Sequence, residues 1–268
     1  MRKKASLMLG LVSCLLLTGC FDVEQSLVLQ KDLSGKAGFS MKVDMESMVL
    51  TMLQMQRSMT GQEGAPTAAE IEKAKAEFLA SKKTEEKMDP AKQKAELEKS
   101  LPKGVKLLDS SFTDEGLNMA ANFLFGFDNV SKLKQIRFPK EKKEGEAEAA
   151  QAGPGSENPF DEPFADLQIV EQGNTLLVTS KATNPMQEQK EQMKESGMSL
   201  DPEMEKQIEQ AFKGLRIAWK IEAPFEVIEH NATRKEGNTL YWEYTLDTMK
   251  KMTAEQAAQG IRVKYKKG

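Results

Sequence analysis

The side chains that could carry acid–base or metal chemistry are few and scattered along the chain. The sequence has one histidine, His230, at the predicted end of a strand. A soft metal site would need further His or Cys ligands beside it. A serine hydrolase would need that same histidine next to a nucleophile, and the sequence has no Gly-x-Ser-x-Gly turn. We therefore assign His230 a surface or turn role, and we predict no catalytic residue and no metal site.

Carboxylates offer another route to catalysis. The 41 Asp and Glu residues lie mostly on predicted exposed helical faces, and none is singled out as a glycosidase-like pair. Phosphate loops, dinucleotide fingerprints and EF-hand loops do not occur. A carboxylate-based hydrolase stays open as an alternative function. Our prediction is that the protein is not an enzyme.

Methionine is the unusual component of the sequence, with 16 residues. Five of them recur at steps of three and four: Met45, Met48, Met52, Met55 and Met59. This spacing predicts one stripe along a helix. Three interpretations stay open, namely core packing beside Val49 and Leu53, an adaptable docking face for an apolar ligand or partner, and a thioether site for Cu(I).

Aromatic residues concentrate in the last predicted hairpin, which contains Trp219, Tyr241, Trp242 and Tyr244. They fit either core packing or the wall of a ligand cavity. Trp219 and Trp242 therefore join the methionine stripe as a candidate apolar ligand surface.

The N-terminus has the parts of a secretory signal. A basic start, Arg2-Lys3-Lys4, precedes an apolar run over residues 5–16. That run is about a dozen residues long, whereas a membrane-spanning helix needs about 20. It ends in Leu17-Thr18-Gly19-Cys20, which resembles the bacterial lipobox, where a small residue precedes an obligatory cysteine.

The lipobox resemblance implies a fate for Cys20. Cleavage would follow Gly19, the Cys20 thiol would carry diacylglycerol, and the new amine would carry an acyl chain; we predict no other cofactor. Phe21, rather than Asp, follows the cysteine, and in the enterobacterial sorting rule this favours the outer membrane, facing the periplasm in a Gram-negative source. Cys14 would leave with the signal, so residues 20–268 would have no disulfide.

Charge and length restrict the remaining classes of function and fold. The formal net charge is −3, which leaves no basic footprint for nucleic acid and no basic stripe for anionic lipids. Residues 20–268 are enough for one sizeable core or two small ones.

Alternation with a period of two predicts strands with one buried face, most clearly over residues 37–43, 117–127, 215–221 and 240–246. Gly-containing turns separate them into hairpins. Helix starts are predicted at Asp44, at the Thr67–Glu70 capping box, and before Pro90, Pro202 and Ala254.

These elements predict an α+β fold: a twisted, mainly antiparallel sheet of several β-hairpins, with helices packed on one face. The predicted signal peptide covers residues 1–19 and the extracytoplasmic domain covers 20–268. Within that domain, residues 61–103 form a predicted peripheral helical hairpin, and residues 139–164 form a disordered low-complexity loop.

A second resemblance concerns the C-terminal hairpin. A strand from Trp219 reaches Pro224, a short segment leads to Asn231, and a Gly237-Asn238-Thr239 turn precedes a strand with Trp242. This order resembles LppM-type lipoproteins. It implies an antiparallel α+β domain in the cell envelope, with lipid or glycolipid binding.

We therefore predict a lipid-anchored cell-envelope lipoprotein that acts as a non-enzymatic binding or scaffold module. Its partners would be the membrane, through Cys20, and a lipid or another apolar ligand. The alternative is a structural or assembly partner in an envelope protein complex, with 61–103 and 139–164 as docking elements.

Overall fold

The computed structural model describes residues 20–59, 66–84, 90–138, 162–181 and 214–267, together with Lys206, Glu209 and Phe212. The predicted signal (1–19), most of the predicted loop (139–164) and most of the predicted helix at 202–213 lie outside the described residues.

The strands are β1 (Cys20–Leu29), β2 (Gly35–Asp44), β3 (Val105–Glu115), β4 (Asn118–Phe127), β5 (Gln168–Gln172), β6 (Thr175–Ser180), β7 (Arg216–Glu222), β8 (Glu226–His230), β9 (Arg234–Glu236), β10 (Thr239–Thr245) and β11 (Ile261–Lys266). The helices are α1 (Met45–Met59), α2 (Ala68–Thr84), α3 (Pro90–Ser100), α4 (Leu246–Lys251) and α5 (Ala254–Gln259), with a 3₁₀ helix at Val130–Gln135.

The strands of the described residues form two sheets. The large sheet has seven strands in the order β3-β4-β2-β1-β7-β10-β9, and the small sheet has four in the order β5-β6-β11-β8. All described pairings are antiparallel except that of β1 with β7. The predicted α+β class and the mainly antiparallel pairing are confirmed.

The turns follow the predicted chemistry. Gly116, Gly173 and Gly237 have φ values of 66°, 57° and 58° in the tight turns of the β3–β4, β5–β6 and β9–β10 hairpins. Glycine adopts this left-handed backbone without the steric cost that a Cβ atom brings. The predicted capping box at α2 also forms, because Thr67 N donates to Glu70 Oε2 (2.7 Å) and Glu70 N donates to Thr67 Oγ1 (3.3 Å).

The main core lies between the two sheets. Leu27, Ile221 and Trp242 of the large sheet and Val178 and Val263 of the small sheet are buried in one cluster. Helical elements share this core through Leu97 of α3 and Leu133 of the 3₁₀ helix. The small sheet was not predicted as a separate layer, and it covers the apolar face of the large sheet together with these helical elements.

Asn231 ties the two sheets together. It follows β8, and its Oδ1 accepts from the Trp242 indole Nε1 (2.7 Å) in the large sheet and from Arg262 N (2.8 Å) in the small sheet. Its Nδ2 donates to Gly260 O (2.7 Å). Trp242 is only 1% exposed, so its N–H depends on this partner.

We expect Asn231→Ala to lower the free energy of unfolding by about 1–3 kcal/mol, because it leaves the Trp242 N–H buried without its acceptor. Chemical denaturation followed by tryptophan fluorescence measures this loss. Asn238→Ala, at an exposed site in the β9–β10 turn, is the control and should change stability little. Equal stability of the two variants would contradict the role given to Asn231.

Tyr265 carries a polar atom into the core. The residue is fully buried, its ring lies 6.1 Å from that of Phe225, and its hydroxyl has no hydrogen-bond partner among the described residues. Burial raises the pKa of Tyr265 above its usual value. The hydroxyl therefore stays protonated and contributes a desolvation cost without a compensating bond.

We predict that Tyr265→Phe leaves the melting temperature unchanged or raises it, since it removes an unpaired buried hydroxyl. Tyr244→Phe is the matched variant, because the Tyr244 hydroxyl donates to Gly260 O (3.4 Å) and its loss should lower stability slightly. A clear drop in melting temperature for Tyr265→Phe would mean that its hydroxyl does have a stabilising partner.

Candidate functional site

Cys20, the predicted lipidation site, is the first residue of β1. In the antiparallel ladder it pairs with Asp44, the last residue of β2. The starts of β4 and β7 and the end of β10 lie at the same end of the large sheet. We call this the Cys20 end. The Cys20 side chain and Gly19 lie outside what the structure describes.

A second hydrophobic cluster closes the Cys20 end. Its buried members are Phe21, Val43, Phe212, Leu215, Leu246 and Met249. Phe21 pairs directly with Val43 across β1 and β2, and alternation places both on the apolar face of the sheet. Tyr244 packs against this cluster, and burial raises its pKa to about 12. The residue next to Cys20 is therefore part of the folded core, not of a linker.

The opposite face of the sheet carries a charge cluster at this end. Arg216 Nη1 lies 2.7 Å from Asp22 Oδ1, Nη2 lies 3.5 Å from Glu24 Oε2, and Nε lies 3.6 Å from Glu243 Oε1. Partial burial of the guanidinium acts to lower the pKa of Arg216, and these carboxylates outweigh it, so the pKa is raised. The cluster links β1, β7 and β10 where β1 begins.

The residues of the candidate apolar ligand surface do not form one surface, because they lie in two separate places. Trp219 and Trp242 pair across β7 and β10 in the core between the sheets, where they are 5% and 1% exposed. Met45 is half-buried against the cluster at the Cys20 end, and Met52 is 41% exposed on α1. The side chains of Met48, Met55 and Met59 lie outside the described part of the chain.

Phe164 covers the indole of Trp219 within the core. The two ring centroids are 6.4 Å apart in an edge arrangement. Next to it, Gln25 Nε2 donates to the carbonyl of Pro163 (2.6 Å). Gln25 pairs with both Phe39 and Trp219, so a polar side chain interrupts the apolar face of β1. No sequence motif marks Gln25, and its position between Val23 and Leu27 on the apolar side of the strand was the available signal.

The described residues line surface cavities at two places. One, of about 270 Å³, is lined by Glu229, His230, Asn231, Gln259 and Arg262. The other, of about 320 Å³, lies at the Cys20 end and is lined by residues 42–44, Thr113, Glu115 and 118–120.

His230 lies at the end of β8, as predicted from the sequence. Its Nδ1 accepts a hydrogen bond from Ala232 N (3.1 Å), which places the proton of the neutral ring on Nε2. Within the described residues no three His, Cys, Asp or Glu side chains come together as a metal site.

Among the described residues, the carboxyl groups of Asp32 and Glu70 have lowered pKa values, and local hydrogen bonds are the largest cause for both. The Ser34 hydroxyl donates to Asp32 (2.7 Å) and lowers its pKa, and the Thr67 backbone N–H does the same for Glu70. A general acid at neutral pH needs a raised pKa, so neither group is tuned for that role.

Within the described residues, no helix combines the length and apolar character needed to cross a membrane.

We expect Phe21→Ala to lower the free energy of unfolding by about 3–5 kcal/mol, because it opens a cavity in the cluster beside Cys20. Phe21→Leu retains most of the buried volume and should cost less than about 1.5 kcal/mol. Urea denaturation of the detergent-solubilised protein measures both. If Phe21→Ala unfolds at the wild-type urea concentration, Phe21 belongs to a loose tether instead.

Comparison with known proteins finds similarity at the level of structure and not of sequence. No family model matches the chain, and no curated protein matches its sequence. A solved structure, the NMR structure of the folded domain of LppM from Mycobacterium tuberculosis, is similar over 92% of this chain and 90% of that chain, with 10% sequence identity and a TM-score of 0.42.

Proposed function

We propose that the protein is a lipid-anchored, non-enzymatic lipoprotein of the cell envelope whose folded domain is held directly against the membrane. The observation that carries the proposal is the position of Cys20. It follows an apolar run and a small residue in the sequence, and it is also the first residue of a strand in the large sheet.

The anchor supplies the membrane affinity in this proposal. Burial of acyl chains gains about 0.8 kcal/mol per CH₂, so the two or three chains of an acylated Cys20 anchor the protein stably where one chain would not. With Phe21 buried and Asp22 bound to Arg216, no flexible residues separate the anchor from the fold. The domain would therefore keep a fixed orientation to the bilayer. Phe21 after the cysteine favours the outer membrane in a Gram-negative source.

The scaffold role is better supported than ligand binding between the sheets. Phe164 packs against Trp219, and Asn231 engages the Trp242 indole, so the aromatic residues already have partners within the chain. An apolar ligand would instead meet the protein at its surface, where Met52 is exposed.

The alternative of an assembly partner in an envelope complex draws on α2. This helix is bound to α1 by Arg57–Glu70 (2.6 Å) and Lys75–Glu46 (2.5 Å), which would present α2 as a fixed docking element.

Acylation of Cys20 is tested with two cysteine variants. We expect mass spectrometry of the wild-type protein from bacterial membranes to give an N-terminal peptide that begins at Cys20 and carries diacylglycerol. Cys20→Ser should lose this modification and the cleavage after Gly19. Cys14→Ser is the control, because Cys14 lies in the predicted signal, and it should be acylated as the wild type is. Lipid attachment in the Cys20→Ser variant would contradict the proposal.

A further inference from the structure

We infer that α1 is a membrane-contacting helix, and that the bilayer holding Cys20 covers the side of α1 that carries Met45 and the exposed Met52, which we call the methionine face. The inference rests on the proposed function, because it takes Cys20 to be acylated. Beyond acylation, it names the surface of the domain that contacts the lipid and the apolar nature of that contact.

The register of β1 and β2 places the start of α1 beside Cys20. Cys20 pairs with Asp44, and Met45 is the next residue and the first of α1. Cα atoms of paired residues in an antiparallel ladder are about 4.5–5.5 Å apart, and the next Cα is about 3.8 Å further on. Met45 therefore lies within about 10 Å of Cys20.

Hydrogen bonds fix the beginning of the helix at this position. Met45 N donates to Leu117 O (2.7 Å) in the β3–β4 turn, and Glu46 N donates to Asp44 Oδ1 (2.9 Å). Met45 also packs against the cluster that contains Phe21. The first turn of α1 is thus held by the same end of the sheet as the anchor.

The helix has a buried side and, next to it, an exposed apolar residue. Val49 is 4% exposed, whereas Met52 is 41% exposed. At about 100° per residue, Met45 and Met52 lie about 20° apart around the helix, and Met52 lies about 60° from Val49. The methionine face therefore flanks the buried side instead of coinciding with it. Met52 lies about 10 Å along the helix from Met45.

The charges of α1 are compensated by α2. The helix contains two charged residues, Glu46 and Arg57, and these bind Lys75 and Glu70 of α2. Both charged side chains of α1 thus have an oppositely charged partner, and the methionines themselves carry no charge. Such a face fits apolar insertion between lipid headgroups, in contrast to basic amphipathic helices that depend on anionic lipids.

The bilayer is a better occupant of this face than a protein partner, because α1 begins close to the residue that would hold the bilayer. An acylated Cys20 without a linker brings the membrane to the Cys20 end of the sheet, where α1 begins. Methionine, which is flexible and polarizable, adapts to an irregular and fluid surface.

Depth-dependent quenching tests the inference on the full-length acylated protein. Acylation blocks Cys20 and cleavage removes Cys14, so Met52→Cys provides a single site for an environment-sensitive fluorophore. The labelled protein is reconstituted into phosphatidylcholine vesicles with and without lipids that carry a quencher on the acyl chain. Val28→Cys is the matched control, because Val28 is 36% exposed and lies about 27 Å along β1 from Cys20.

We expect the label at residue 52 to show blue-shifted emission and several-fold stronger quenching by the lipid-borne quencher than the label at residue 28. Added salt or anionic lipid should leave this ratio unchanged. Equal quenching at the two positions in protein that floats with the vesicles overturns the inference and leaves the lipid anchor intact. Protection of residue 52 from an aqueous quencher without quenching from the lipid overturns it as well, and indicates a protein partner or a second copy of the chain. Protein that does not float with the vesicles overturns the proposed function together with the inference.

Discussion

The pairing of β1 on both of its edges is the constraint on which the large sheet depends. On one edge β1 pairs with β2, which leads to β4 and β3, and on the other it pairs with β7, which leads to β10 and β9. The N-terminal and C-terminal halves of the large sheet therefore meet at this strand. Arg216 reinforces the junction, because its guanidinium binds Asp22 of β1 and lies near Glu243 of β10.

The same strand connects the fold to the proposed anchor. Because β1 begins at Cys20 and Phe21 is already buried, a force applied at the lipid would act directly on the centre of the sheet. The second hydrophobic cluster packs around Phe21 at the start of β1. Asn231 links the large sheet to the small one near the start of β11. A domain attached in the proposed way would have little freedom to rotate on the membrane, and this would give α1 a defined position.

Local patterns predicted the strands, hairpins and capped helices, since each depends on neighbouring residues. The alternation at 37–43 and 240–246, the glycine turns and the Thr67–Glu70 capping box all correspond to the structure. Alternation says which side of a strand is buried but not which strand lies next to it. The parallel pairing of β1 with β7 and the division into two sheets join distant parts of the chain, so they could not be predicted from periodicity. At the candidate site, the lipobox resemblance singled out Cys20. The exposure of Met52 beside a buried Val49 could not be predicted, because it depends on how α1 packs against α2 and the sheet.

In the proposed arrangement no flexible linker separates the bilayer from the fold, and neutron reflectometry on a supported bilayer measures this directly. For the acylated protein we predict that the protein layer begins at the headgroups without a hydrated gap. Inserting ten Gly/Ser residues between Cys20 and Phe21 should open a gap of about 17 Å, which is the mean span of such a linker. A hydrated gap of similar thickness in the protein without the insertion would contradict the account.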